Sequence, residues 1–332
     1  MNEVKTVSVK TPEQRLRRFQ NFLSVLAVLI FGLMALGAGV RTMNAGLSCP
    51  DWPLCFGKVI PDFHPAVWFE FVHRAYAGVV GLGYVAALVI AWRSKIVPSS
   101  TKTAAKIGIL FLVFQIFLGR QTVTMQLKPY IVTSHLLLAT LFLVCVLWML
   151  YGVRRELLAR EAFQTGAAPA GLRWLQYFLP VIVFVQIAIG GLVASTYAGM
   201  ICVDWPYCNG QWVPTWAGPM GLQIIHRFVA YGLVVLFVAL AFVARAKRRV
   251  MSANLKRMFY AAGVVVLLQT FVGIMNLILF IPPHVTVLHQ TLAMILLAVS
   301  LKISFELRHA VPVVRGEVTS SENLVAGTAT LS

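Results

Sequence analysis

With 332 residues that are 59% hydrophobic and only 12% charged, the chain has about half the ionic content of a soluble protein, roughly a quarter of whose residues are charged. It cannot cover the two soluble domains its length would otherwise suggest, and a mean hydropathy of +0.81 sets the excess apolar mass against lipid. The net charge of +17 would point to nucleic acid on a soluble chain; here it becomes a question of which side of a membrane holds the Lys and Arg.

In chain order, a basic arm (1–21) precedes an apolar run at 22–42, followed by runs at 71–92, 104–124 and 131–151. A linker (152–173) leads to four more, at 174–196, 222–243, 258–280 and 285–305, and to a polar tail (306–332) predicted to be disordered. Each run is long enough to cross a hydrocarbon core of about 30 Å as a helix. The predicted fold is therefore an all-α integral membrane protein with eight transmembrane helices. Of the 28 Lys and Arg, 22 fall in the arm, the 2–3, 4–5 and 6–7 connections, and the tail. Because basic residues gather in cytoplasmic loops, both termini are predicted cytoplasmic. The first run resembles a signal peptide, but its length and the repeat below keep it as a span.

The chain repeats itself. AGLSCPDWPLC at 45–55 returns as AGMICVDWPYC at 198–208, an offset of 153, and His73-Arg74 returns as His226-Arg227. At an offset of 154, Gln115, Gly119 and His135 return as Gln269, Gly273 and His289. Each unit holds an even number of spans, so the halves are parallel repeats about an axis along the membrane normal. Two pseudo-symmetric four-helix bundles, 22–151 and 174–305, are expected side by side. Inverted-repeat transporters need an odd number of spans per unit, so that class is disfavoured.

His73, His135, His226 and His289 lie near the outer ends of spans 2, 4, 6 and 8. Ionisable groups at membrane depth are costly and commonly functional. They either hydrogen-bond neighbouring helices or, as facing pairs inside a bundle, supply both axial ligands of a haem iron. Zinc would need a third and a fourth ligand, and the second half offers none at matching depth. Glu70, one helical turn before His73, is replaced by Gln223 in the second copy. A carboxylate can take a proton or stabilise a cation and an amide cannot, so the N-terminal half is expected to react and the C-terminal half to hold a permanent cofactor. The plainer reading is a Glu at a helix N-terminus. Cys49/Cys55 and Cys202/Cys208 lie in outer loops, where an oxidising compartment allows disulfides; they either staple the loops or act in redox chemistry. Arg74 and Arg227 suit haem propionates or lipid headgroups. Arg120 has Ile274 at its repeat position and reads as a snorkelling cation or a second charge specific to the first half. Cys145 reads as a small buried side chain, Asp51 and Asp204 as turn formers, and the tryptophans as an interfacial belt.

FEFVHRAYAG from Phe69, QIIHR from Gln223, the later VTSH and VTVLH, and the duplicated C-x5-C loops together resemble the CtaA family of haem A synthases. The resemblance runs from about residue 22 to 305. It implies oxidation of the C8 methyl of haem O to a formyl, with His73 and His135 flanking substrate haem O, His226 and His289 ligating haem b, and Glu70 beside the reacting methyl. Successive hydroxylations of the methyl, then loss of water from the gem-diol, would give the aldehyde. The implied setting is a bacterial inner membrane with the Cys loops periplasmic. The implied connections are haem O synthase, haem-copper oxidase assembly and an electron partner the sequence does not name. The competing readings are a bis-His dihaem b-type electron-transfer protein, which gives no reason for the Glu70/Gln223 asymmetry, and a membrane thiol-disulfide oxidoreductase built on the Cys pairs.

Overall fold

The computed structural model describes residues 11–160 and 167–313. Among these, eight helices are long and apolar enough to cross a membrane: α1 (Pro12–Thr42), α2 (Pro65–Arg93), α3 (Ser99–Thr124), α4 (Pro129–Arg160), α5 (Leu175–Ser195), α6 (Gly218–Ala246), α7 (Ala253–Ile278) and α8 (Pro283–His309). Local chemistry fixes several starts. Thr11 and Gln14 form a reciprocal capping box at α1, Ser252 accepts the Leu255 N–H at α7, and prolines occupy the first turn of α1, α2, α6 and α8, where a missing N–H costs nothing.

The helices outrun the apolar runs. Helix α1 takes in the second half of the arm expected at 1–21, from Pro12, and α4 reaches Arg160, well into the linker expected from 152. Hydropathy marks the part of a helix inside lipid, and charged residues such as Arg17 or Arg155 continue a helix into water without penalty. Further on, β1 (Ala167–Pro169) pairs in parallel with β2 (Val311–Val313), tying linker to tail. Residues 1–10, 161–166 and 314–332, which include most of the tail expected to be disordered, lie outside the described residues.

Each half closes as a ring: α1–α2–α3–α4 and α5–α6–α7–α8, with the first and last helix of each set also in contact. The halves meet through α1 against α8, α4 against α5, and α4 against α8. Since α5 is the repeat of α1 and α8 that of α4, the first two contacts exchange under the repeat and the third maps onto itself. That is the signature of a two-fold relation, as the parallel repeat requires. The four helices of the seam carry buried residues such as Leu23, Leu143, Leu179 and Leu301 of one continuous core cluster, while α2 and α3 turn large apolar side chains outward.

Many polar groups within the spans find partners on their own or a neighbouring helix, since lipid offers none. Thr270, Thr291 and Ser300 donate to the carbonyls four residues back. Across the seam, Gln290 Nε2 donates to Met34 O (3.1 Å) and the Thr133 and Ser195 hydroxyls meet at 2.9 Å. Pro180 lies inside α5 and has no N–H for the Gln176 carbonyl; Ser304 of α8 donates to that carbonyl instead. Ser304→Ala should therefore destabilise the protein by about 1 kcal/mol, the scale of interhelical hydrogen bonds in membranes. In a Pro180→Ala background, where α5 supplies its own N–H, the loss should largely disappear; equal losses in both backgrounds, read by unfolding in mixed micelles, would refute the pairing.

Candidate functional site

The starts of α2, α4, α6 and α8 and the two Cys loops share one end of the molecule, and the site is built there. Because α2 begins at Pro65, six residues before the apolar run, His73 is its ninth residue and lies roughly 12 Å along the axis at 1.5 Å per residue. His226 holds the same rank in α6, and His135 and His289 are the seventh residues of α4 and α8.

Each imidazole rests on a glycine of the preceding helix. A Cβ built on Gly37 (α1) would lie 3.0 Å from His73 Nε2, and one on Gly190 (α5) 3.0 Å from His226 Cε1. On Gly119 (α3) it would lie 3.3 Å from His135 Cε1, and on Gly273 (α7) 2.7 Å from His289 Cε1. The glycines thus let each ring pack directly against the neighbouring helix, a contact on which any added side chain would press. His73 and His135 are within electrostatic reach of each other, as are His226 and His289. Gln115 Nε2 stands 3.4 Å from His135 Nε2, and Gln269 Nε2 3.4 Å from His289 Nε2. Nδ1 of His135, His226 and His289 and Oε1 of Gln115 and Gln269 are buried without a hydrogen-bond partner. Buried polar atoms are rarely left so. Imidazoles held in register by these glycines, with buried polar atoms still unspent, fit an iron-bearing group in each half.

The Cys loops are built alike. Cys49–Cys55 and Cys202–Cys208 are disulfide-bonded, so the staple is present in both. Asp51 accepts the N–H groups of Phe56 (2.6 Å) and Gly57 (2.8 Å); Asp204 accepts those of Asn209 (2.6 Å) and Gly210 (2.8 Å). Both aspartates are turn formers. These bonds, the one from Gly57 or Gly210 foremost, hold each carboxyl below the ordinary aspartate range.

Arg74 donates to the carbonyls of Asp51 (2.8 Å), Leu54 (2.8 Å) and Cys49 (3.1 Å). Arg227 donates to those of Asp204 (3.0 Å), Tyr207 (2.6 Å) and Cys202 (2.9 Å). The structure directs both guanidinium groups to the loops, a use that neither the propionate nor the headgroup reading anticipated. The signal was in the sequence: an Arg and a Cys loop recur together at the same offset.

The halves differ at Glu70. It is 4% exposed, is the sixth residue of α2, and does not cap the helix, whose N-cap is His64. Its Oε2 accepts the Cys49 N–H at 2.8 Å and its Oε1 pairs with Arg74. Gln223, equally buried, reaches only the Gly199 carbonyl at 3.5 Å, and its Oε1 has no partner. Arg120 is exposed on the outer face of α3, apart from these groups, and Cys145 is a buried free thiol in α4.

The profile of the COX15-CtaA family, described as cytochrome oxidase assembly protein, matches residues 20–301. The chain is similar to proteins named Heme A synthase. With that of Shewanella oneidensis it is 30% identical over 327 residues, 85% of this chain and 94% of the relative. With that of Methylobacterium radiotolerans it is 28% identical over 341 residues, 87% and 89% respectively. With that of Halalkalibacterium halodurans it is 33% identical over 212 residues, 61% and 68%.

The loop aspartates give a pH dependence of definite sign. A carboxyl whose folded pKa is depressed stabilises the fold above its unfolded value, about 3.9, and the contribution is lost as pH falls through the lower folded value. Limited proteolysis between Cys49 and Cys55 should accelerate on acidification below about pH 4, and Asp51→Asn should show the faster cleavage already at neutral pH. Identical cleavage in both proteins at every pH would remove Asp51 from the loop's support.

Proposed function

Because the chain belongs to the COX15-CtaA family of cytochrome oxidase assembly proteins, we propose that it acts as a haem A synthase, an oxidoreductase that converts the C8 methyl of haem O to the formyl of haem A. The observation that carries the reading is the pairing of two equivalent histidine sites with a single carboxylate. A protein that only moved electrons would have no use for the difference between Glu70 and Gln223.

In this reading the N-terminal half (22–151) is the reacting half, with His73 and His135 flanking haem O as substrate. The C-terminal half (174–305) would hold haem b through His226 and His289. Haem b, when bound, supplies one-electron chemistry and links the substrate to an electron partner. Two successive hydroxylations of the methyl, each taking its oxygen from water and passing two electrons and two protons to an external electron acceptor, followed by loss of water from the gem-diol, give the aldehyde, and the chain's own residues do the rest. The imidazoles orient the macrocycles, the glycines set the imidazoles against the neighbouring helices, and the apolar spans exclude water. Glu70 accepts a proton at a carboxylate oxygen, or stabilises the cation developing at the methyl carbon. Its pairing with Arg74 and the Cys49 N–H fixes where that oxygen stands. We place the Cys loops on the periplasmic face of a bacterial inner membrane and both termini in the cytoplasm, following the bias of Lys and Arg. Haem O synthase would supply the substrate, and haem-copper oxidase assembly would take the product.

Co-expression with a haem O synthase, followed by extraction and identification of the haems, should yield haem A. Two b haems and no haem A would favour the dihaem cytochrome instead. Glu70→Gln copies the amide of the second half, whose loop is clamped by Arg227 without a carboxylate, so the fold should tolerate it. It should lower haem A formation by about a hundredfold or more, the scale of acid–base catalysis, while the haem b spectrum persists; undiminished haem A would refute the role. Gly273→Ala drives a methyl against His289 and should deplete haem b in the purified protein, whereas the same change at Gly232, where an added Cβ meets nothing within 4 Å, should leave the haem content intact.

A further inference from the structure

Arg41 lies at the end of α1 in the last turn, one turn beyond Gly37, the glycine that carries His73. Its guanidinium donates to the carbonyl of Ala194 in the last turn of α5. Ala194 stands one turn beyond Gly190, the glycine that carries His226, and is the residue that replaces Arg41 in the second copy at the offset of 153. Arg41 therefore spans the seam between the two histidine sites, on the side of the Cys loops.

The other cations at this end are engaged or turned away. Arg74 makes four hydrogen bonds and Arg227 three. Lys58 is paired with Asp62, and Lys128 and Arg120 are exposed. Arg41 is half-buried, and among the described residues its one hydrogen bond is to Ala194. A guanidinium has five N–H donors. The partial negative charge of a helix C-terminus offsets part of the cost of burying this cation but leaves most of its fork unused. The fork's natural acceptor is a carboxylate.

We infer that Arg41 is a carboxylate-binding residue shared by the two haem sites, taking a propionate of haem b and a propionate of haem O across the seam. The inference rests on the histidine assignment in the proposed function. Propionates are charged and must turn toward the polar end nearest the iron ligands. At that end the arginines beside His73 and His226 are already spent on loop carbonyls. Arg41 is then a positioning residue whose charge acts on both irons at once, and a cation near a haem favours its reduced state.

The test compares Arg41→Gln and Arg41→Lys in the haem-loaded full chain. Gln keeps a donor for the Ala194 carbonyl and loses the charge; Lys keeps the charge. The midpoint potential of haem b should fall in the Gln variant and stay near that of the unaltered protein in the Lys variant. The propionate bending bands of both haems should shift in resonance Raman spectra of the Gln variant. An unchanged potential in a Gln variant that retains its haem would overturn the inference, reducing Arg41 to a cap on α5. A band shift confined to one haem would overturn the sharing. If the unaltered protein shows no bis-imidazole haem spectrum, the histidine assignment itself fails, an outcome separable from the other two.

Discussion

A polar group inside a bilayer has no water to fall back on, and each one left unpaired costs on the order of kilocalories. That constraint orders what is seen here. It explains why Ser304 serves the carbonyl that Pro180 abandons, why the span hydroxyls bond back to their own helices, and why Arg74 and Arg227 bind three loop carbonyls each. Among the buried polar atoms that remain unpaired are those of His135, His226, His289, Gln115 and Gln269. The three histidines each lie against a glycine of the preceding helix.

Symmetry then separates scaffold from chemistry. Whatever recurs in both halves, namely the disulfide, the turn aspartate, the Arg clamp and the glycine under each imidazole, is what a half needs in order to build a site at all. What does not recur has been free to change. Glu70 and Gln223 have nearly the same shape and equal burial, so the exchange barely disturbs packing, yet it alters charge, proton affinity and the bond to the Cys loop. The carboxylate is joined through the Cys49 N–H and Arg74 to a loop that the second half holds without it. The position of Glu70 is thus set by a loop that both halves share.

Much of this was legible in the amino-acid sequence. Eight spans, the repeat, the four histidines, the loop cysteines and the Glu70/Gln223 contrast follow from hydropathy, self-similarity and residue chemistry. The helix ends were not legible, because Arg17 or Arg155 ends the lipid-facing stretch without ending the helix. The true start of α2 at Pro65 puts Glu70 inside the helix and not at its end, which removes the plainer reading of a cap and leaves a buried, paired carboxylate. The loop contacts of the arginines were hidden for a related reason. Sequence shows that Arg74 follows His73; only the return of the chain through the Cys loop shows that three carbonyls converge on it. Gly37 and Gly190 carry no chemical signal of their own, and their importance comes from register against a neighbouring helix.

The contact between Arg41 and Ala194 has a consequence for how such a molecule could arise. The two residues are repeat equivalents that meet across the seam, so in a dimer of identical four-helix units position 41 would confront its own copy. Two arginines there would repel at close range in a poorly solvated place, and two alanines would leave no charge. A cation on the axis is open only to a chain in which the two copies are distinct. Covalent duplication therefore allowed a single asymmetric charge to sit where strict symmetry permits either a pair or none.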